Sequence, residues 1–390
     1  MKQFDIIIAG GAMAGSTLAL ALKQKNSSLK IAVVESYSMQ GSAHPGFDAR
    51  SIALSYGTQQ LLQQFELWQE LSELATPIEH IHVSDKGHAG MTEISCYERD
   101  VAALGYVVEL ADVGRLFTDK LVQKEGISLF CPDSVEEIES EPSAQKIRLS
   151  SGEWISGKLL VAADGADSEC CRLLQIEQQE YDFQQTAIIA NIVVSEAHRN
   201  RAYERFTRNG PLALLPMSEG RMSLVWCQAT SEVESTLSLS DEEFLSKLQA
   251  EFGWRLGSME KVGERASYPL LLKKKSKLVH HRFAAIGNAS QLLHPIAGQG
   301  FNLGIRDIAS LVEEVACQAD PGEYSGLSAY RNRRYQDRKN TIELTAGMVS
   351  IFSNEWLPLC AGRNLALSVM DNVPVIKEPL LKRTMGLVER

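Results

Sequence analysis

The chain is predicted to be α/β: a Rossmann-like nucleotide-binding domain interleaved with a mainly antiparallel β-sheet domain, followed by a helical C-terminal tail. Three observations carry this. Apolar Phe4–Ala9 runs through Gly10-Gly11-Ala12-Met13-Ala14-Gly15 into a helix-forming stretch from Ser16 to Gln24, which reads as strand, tight turn and helix. Far down the chain a second glycine-rich segment, Gly287-Asn288-Ala289, leads into His294-Pro295-Ile296-Ala297-Gly298-Gln299-Gly300-Phe301-Asn302-Leu303-Gly304. Between them, residues 178–277 show period-two apolar patterning with turn signals, the mark of antiparallel strands.

In the first turn Gly10 takes the strained backbone angle, position 12 lets a pyrophosphate approach, and Gly15 lets helix pack on strand, with phosphates at the helix N-terminus. Ala12 departs from G-x-G-x-x-G and adds one methyl at the close-approach position. A second apolar strand, from Lys30 to Val34, ends in Glu35, twenty residues after Gly15. A carboxylate there accepts ribose hydroxyls and repels a 2'-phosphate, favouring the unphosphorylated ribose of FAD or NAD. The apolar run from Ile6 to Leu22 resembles a signal or membrane segment in hydropathy alone. Asp5 before it, a single Lys2 and the interrupting glycines speak against both.

Short strand-like runs broken by Gly87, Gly90 and Gly105 follow between Ile78 and Glu109. A helical pattern returns from Val113 to Lys124, then strands near Ile127–Phe130 and 146–149. An apolar strand beginning at Trp154 ends in Asp164-Gly165-Ala166-Asp167-Ser168. Strands are expected over 187–194, 212–216 and 221–228, with a hairpin turn at Ser218-Glu219-Gly220 and a helix over Asp241–Phe252. The chain then returns through a strand at 283–286 to the second glycine-rich segment and a helix from Phe301 to Ala316. The expected division is a cofactor domain of 1–75, 106–177 and 278–340, a substrate domain of 76–105 and 178–277, and a C-terminal helical region of 341–390.

Composition fits a globular cytoplasmic enzyme: 44% hydrophobic and 23% charged residues over 390 positions. A formal net charge of −10 argues against a nucleic-acid partner. The seven cysteines lack C-x-x-C spacing and read as reduced thiols with no zinc site, and adjacent Cys170 and Cys171 as packing residues. His80, His82 and His88 fit no usual metal spacing, so no metal is expected.

Together the two glycine-rich segments describe two walls of one site, a dinucleotide pyrophosphate at one end and an electron-rich ring system at the other, which points to FAD. Three glycines surround Gln299 and lead into a helix, so backbone donors and a helix N-terminus face whatever lies above that loop. They stabilise the negative charge of a reduced flavin without a buried cation. The chemistry expected of such a cofactor is a hydroperoxyflavin formed with O2, which delivers one oxygen atom to an electron-rich ring in a dry cavity.

The N-terminal turn, the Asp164-Gly165 motif and the stretch from Gly287 to Asp307 occur in the order found in single-component flavoprotein aromatic hydroxylases, and the chain resembles that family, of the para-hydroxybenzoate hydroxylase fold. The run from His294 to Asp307, the segment His44-Pro45-Gly46-Phe47-Asp48-Ala49-Arg50-Ser51-Ile52-Ala53-Leu54 and the segment Val83–Gly90 are similar to the UbiH-type 2-polyprenyl-6-methoxyphenol hydroxylases of ubiquinone biosynthesis. The resemblance implies FAD as cofactor, NAD(P)H and O2 as co-substrates, and a prenylated phenol as substrate. It also implies contacts with other ubiquinone-biosynthesis proteins and peripheral contact with the inner face of a membrane. The chain departs from the family's pattern twice. Asn288 stands where an aspartate usually contacts a ribityl hydroxyl, and Cys171 stands where the Asp164 motif usually has an arginine, with Arg172 following.

The candidate cofactor-binding residues are therefore Gly10, Gly11, Ala12, Met13, Ala14, Gly15, Glu35, Arg50, Asp164, Gly165, Gly287, Asn288, Pro295, Gly298, Gln299, Gly300, Phe301 and Asn302. His294 is the candidate for moving the phenol's proton, with a neutral, loop-bracing histidine as the alternative. Trp226 is the candidate substrate contact, on a strand of which one face must be core. Two other functions stay open: a flavin-dependent reductase or cyclase of the same fold, and a non-catalytic flavin-binding assembly subunit. No second nucleotide fold is legible, so NAD(P)H would share a groove. The C-terminal residues, which mix Trp356, Val373, Val375 and Ile376 with Lys377, Lys382, Arg383 and Arg390, read as a packed helical tail or as a docking surface.

Overall fold

In the computed structural model, which describes residues 1–38, 50–352 and 357–388, an eight-stranded sheet has the main order Val279–His280, Phe283–Ala285, Trp154–Ala162, Lys2–Ala9, Ile31–Val34, Ile127–Phe130. The last five strands run parallel. Strands covered on both faces are apolar throughout, and alternate residues go to opposite sides. Ile6, Ile8, Ile31 and Val33 pack with the helices Met13–Lys25, Leu110–Gln123 and Gln299–Val315. Ile7, Ala9, Ala32 and Val34 pack with the antiparallel pair Val135–Ser140 and Gln145–Leu149 and with buried Cys170 and Cys171. Both of these cysteines are free thiols in that packing, as the sequence suggested. The apolar run that imitated a membrane segment is thus the central strand, its turn and its helix, and no helix among the described residues is long and apolar enough to cross a membrane.

The second sheet has nine strands, with the main order Gln291–Leu292, Ala266–Lys275, Gln178–Val194, Arg221–Ala229, Gly210–Pro216, Arg201–Thr207, His80–Asp85, Met91–Ser95. Every neighbouring pair is antiparallel except Arg201–Thr207 with His80–Asp85. That parallel pairing joins two stretches more than a hundred residues apart into one sheet. The helix Asp241–Phe252 forms with the expected limits because Ser240 and Glu243 cap it reciprocally. It buries Phe244, Leu248 and Phe252 against one face of the sheet. Strand Gln178–Val194 starts well before the expected 187, because its first residues are polar and exposed and carry no apolar alternation. A small third sheet, Ser51–Ser55 with Gly105–Glu109 and Thr76–Ile78, lies between the two large ones.

The C-terminal part is helical, as expected, with helices Tyr324–Phe352, Leu357–Asn372 and Pro374–Thr384. Two buried or part-buried ion pairs fasten it to the second sheet and the turn beyond: Arg363 to Asp85 at 2.8 Å, and Lys377 to Glu98 at 3.0 Å. It therefore forms a wall of the molecule.

Candidate active site

Four adjacent parallel strands end in register: Ala9 pairs with Ala162 and with Val34, and Ala162 pairs with Ala285. The residues just beyond these ends are Gly10, Glu35, Asp164 and Gly287. Strand spacing of about 4.8 Å therefore sets the four predicted motifs in one row, at the carboxyl edge where open α/β sheets bind ligands. Gly10 has φ +97°, and a Cβ there would lie 2.4 Å from the Ala163 carbonyl oxygen. At Gly15 an added Cβ would meet the Gly10 carbonyl at 1.8 Å, so the helix packs on the turn only because no side chain intervenes.

Glu35 is buried and accepts hydrogen bonds from the Gly11 N–H at 2.6 Å and the Tyr37 N–H at 2.8 Å. The carboxylate thus holds the glycine turn open as well as facing the cavity. Asp164 accepts from the Cys170 N–H at 3.1 Å through Oδ2, while its shielded Oδ1 has no partner. Burial pushes the Asp164 carboxyl above the usual range, while the nearby Ser168 hydroxyl and the Cys170 N–H pull it down. An orphaned acceptor of this kind costs about 1–3 kcal/mol unless a ligand satisfies it.

The second glycine-rich segment meets the first. A Cβ on Gly287 would lie 3.3 Å from the Ala14 Cβ, and one on Gly304 would lie 3.2 Å from the Gly287 Cα. Gly298, at φ +61°, is the N-cap of helix Gln299–Val315, and a Cβ added at Gly300 would meet nothing within 4 Å, so the helix N-terminus opens onto space. Asn302 fixes this loop: its Oδ1 accepts from the Ser55 N–H at 2.9 Å and Thr58 Oγ1 at 2.7 Å, and its Nδ2 donates to the Ala53 carbonyl at 3.0 Å. Its side chain is thereby a brace. Gln299 is buried and turned to the Thr384 carbonyl at 3.4 Å.

Behind the loop lies an ionic cluster for which the sequence supplied no role. Asp307, fully buried, accepts from Arg334 Nε at 2.7 Å through Oδ1, and from Gln291 Nε2 at 2.9 Å and the Gly287 N–H at 3.3 Å through Oδ2. Asp337 joins Arg306 at 2.7 Å and Arg334 at 2.8 Å. Burial opposes ionisation of Asp337, yet the two guanidiniums hold its carboxyl below the usual range.

One cavity of about 1450 Å³ connects these elements to the second sheet and the C-terminal helices. Gly10, Ala12, Met13, Ala14, Glu35, Arg50, Asp164, Gly165, Gly287, Asn288, Pro295, Gly298, Gly300, Phe301 and Asn302 line it. Gly11, Gly15 and Gln299 sit behind that lining. Arg50 stacks over the Tyr268 ring at 4.8 Å; His44–Ala49 of its motif lie outside the described residues.

Two sequence candidates fall elsewhere. Trp226 points away from the cavity into the core, edge-on to Phe244 at 5.8 Å, while its neighbours Val225 and Cys227 line the cavity. The strand alternation was legible and its phase was not. His294 also stands behind the lining: its Nδ1 accepts from the Ile296 N–H at 3.2 Å, and its Nε2 faces Gln185 Oε1 at 3.2 Å. Burial pulls its pKa down to about 4. A neutral ring with both nitrogens engaged braces the loop, the second of the two roles the sequence allows it.

The chain matches the FAD-binding domain family over residues 3–345. It belongs to that family. This flavoprotein is 32% identical to ubiquinone hydroxylase UbiL of Rhodospirillum rubrum, over all of this chain and 91% of that one. It is 27% identical to 3-demethoxyubiquinol 3-hydroxylase of Escherichia coli, over 98% of each chain. The crystal structure of p-nitrophenol 4-monooxygenase PnpA from Pseudomonas putida shares its fold, with a TM-score of 0.82 at 16% identity over the whole of both chains.

The residues present fit FAD on three structural grounds: a turn at Gly10 that admits no side chain, an orphaned Asp164 Oδ1, and an unobstructed helix N-terminus at Gly300. Glu35→Ala in this flavoprotein removes a carboxylate that both faces the cavity and tethers Gly11. FAD binding should weaken by about 1–3 kcal/mol, roughly 5- to 150-fold, as read by flavin fluorescence titration. An unchanged dissociation constant removes Glu35 from the site.

Proposed function

We propose that this flavoprotein is an FAD-dependent monooxygenase that hydroxylates the aromatic ring of a polyprenyl (methoxy)phenol in ubiquinone biosynthesis. The observation that carries the proposal is the single cavity running from the cofactor-type edge of the parallel sheet into an apolar chamber between the second sheet and the C-terminal helices. The hydroxylase relatives, matched over nearly their whole lengths, support it.

The turn from Gly10 to Gly15 would hold the pyrophosphate and Glu35 the adenosine ribose. Asp164 and Asn288 would take hydroxyls of the linking chain, and the loop from Pro295 to Phe301 the flavin ring. Asn288 is exposed toward the cavity, and its amide oxygen accepts a hydrogen bond as an aspartate would. The chemistry FAD would supply there is hydride acceptance from NAD(P)H and, in its reduced form, activation of O2 for transfer of one oxygen atom to the ring. The chain's own contribution is placement and dryness. The N-terminal N–H groups of helix Gln299–Val315 favour negative charge above them. Leu215, Val225, Leu367 and Leu381 are among the apolar side chains that exclude water from the chamber.

The substrate's tail and the membrane belong to the same proposal. The inner sides of the C-terminal helices, through Leu367, Met370 and Leu381, offer apolar surface to a prenyl chain. Leu365, Val373 and Val375 are exposed, and helix Pro374–Thr384 also carries exposed Lys382 and half-exposed Arg383, a composition suited to peripheral contact with an anionic membrane or with partner proteins. The experiment that tests the reaction is oxygen-isotope labelling of the product.

A further inference from the structure

The cavity-facing side of the second sheet is apolar almost throughout, and Glu204 stands in its middle. Its register partners are Val83 and Ala213, and Val225 continues the same row. All of them line the cavity. Nothing among the described residues donates a hydrogen bond to the Glu204 carboxylate or pairs with it as an ion. A carboxylate on an apolar surface without a partner is costly, and such a group is the kind that a ligand satisfies.

Its position is as informative as its isolation. Phe206, two residues further along the same face, packs with Ile296 of the second glycine-rich loop. Two strand residues span about 7 Å, so Glu204 stands one pleat from the loop assigned to the flavin ring, on the chamber side. That is where the reacting ring of a bound phenol would lie.

We propose that Glu204 accepts the hydrogen bond of the substrate's ring hydroxyl and takes its proton as oxygen is transferred to the ring. The inference rests on the hydroxylase reading above. In that step the phenol O–H bond breaks, the proton bonds to a Glu204 carboxylate oxygen, and the electron pair stays on the phenol oxygen, enriching the ring carbon that is attacked. When that carbon sheds its hydrogen to water as a proton, Glu204 returns its own proton to the phenol oxygen and the ring is aromatic again.

The surroundings suit a base working near neutrality. Burial pushes the Glu204 carboxyl up to about 7. Its own strand places Ala202 and Phe206 beside it, and helix Tyr324–Phe352 contributes Leu344 and Met348 to the cavity. The titratable group on the same face two strands away is Cys227, whose thiol is raised first by burial and then by the Glu204 charge, so it stays protonated. Asp85, the next acidic residue on its sheet face, is held by Arg363 at 2.8 Å.

The test uses the full-length protein with FAD and three variants: Glu204→Gln, Glu204→Asp and Glu204→Leu. FAD affinity should be unchanged, because Glu204 lies outside the glycine-rich walls. Hydroxylation of a prenylated methoxyphenol should rise with pH through about 7 in the parent, since the carboxylate is the active form. Glu204→Gln should lose about 10²- to 10⁴-fold in rate together with that pH limb, and Glu204→Asp should restore the limb. A second readout needs no turnover: equilibrium binding of 2-methoxyphenol against its methyl ether. The parent should prefer the phenol by about tenfold or more, the worth of a charged hydrogen bond, and Glu204→Leu should lose the preference. A Glu204→Gln variant with parental rate and pH profile, or a Glu204→Leu variant that keeps the phenol preference, overturns the proposal. Phenol preference without any hydroxylation by the parent would sink the functional reading and leave the Glu204 contact standing.

Discussion

Asp307→Ala is expected to lower the stability of the protein by about 3–5 kcal/mol, because it leaves Arg334 buried beside one carboxylate where there were two. For a chain of this length that corresponds to a melting temperature lower by about 5 °C. FAD binding should weaken with it, since the Gly287 N–H and Gln291 lose the acceptor that shapes their turn. The double variant Asp307→Ala with Arg334→Met keeps the Arg306 pair with Asp337 and leaves no orphaned guanidinium. It should recover part of the lost stability in a thermal melt. A single variant that melts with the parent would show that the cluster does not hold the loop.

Gly10→Ala should have the other large effect, this time on the cofactor. The added Cβ meets backbone at 2.4 Å and the residue sits at φ +97°. Such a conformation costs an L-residue about 1–3 kcal/mol, and overlap with immovable atoms costs a further 1–3 kcal/mol or so. The turn relieves both by moving away from Ala163 and Asp164, which breaks the row of strand ends. FAD affinity should fall by at least about a hundredfold at a nearly unchanged circular-dichroism spectrum. Parental affinity would mean that the turn tolerates a side chain and is not the cradle described.

Most of the parallel sheet and its turns could be read from the sequence because the signals are local. Ile6–Ala9, Gly10 and Gly15 carry strand, turn and packing requirements within a dozen residues, and Glu35 is reached by one crossover. That the four motifs share a row depends on the pairing of Ala9 with Ala162 and of Ala162 with Ala285, which no local pattern encodes. The strand Arg201–Thr207 was hidden because Arg201, Glu204 and Arg205 break the apolar alternation, and Glu204 is charged for a reason local periodicity cannot express. The run from Arg331 to Lys339 is almost entirely charged or polar. Arg334, Asp337 and Arg338 are nevertheless buried, while Arg331, Tyr335 and Lys339 are exposed. The spacing of the buried set with Tyr330 and Thr341 is that of a core stripe, visible only if charge is set aside. Trp226 shows the same limit in a strand, where a shift of one residue exchanges core for cavity.

This flavoprotein is expected to place one atom of dioxygen on a phenol ring, and isotope labelling tests that most directly. The full-length protein, or its native complex, is given FAD, NAD(P)H, a prenylated methoxyphenol and ¹⁸O-labelled dioxygen in ordinary water, and the product is analysed by mass spectrometry. One labelled oxygen in the ring hydroxyl is the predicted result. A hydroxylated product whose new oxygen comes from water, or a reduced or cyclised product with no oxygen gained, would contradict it.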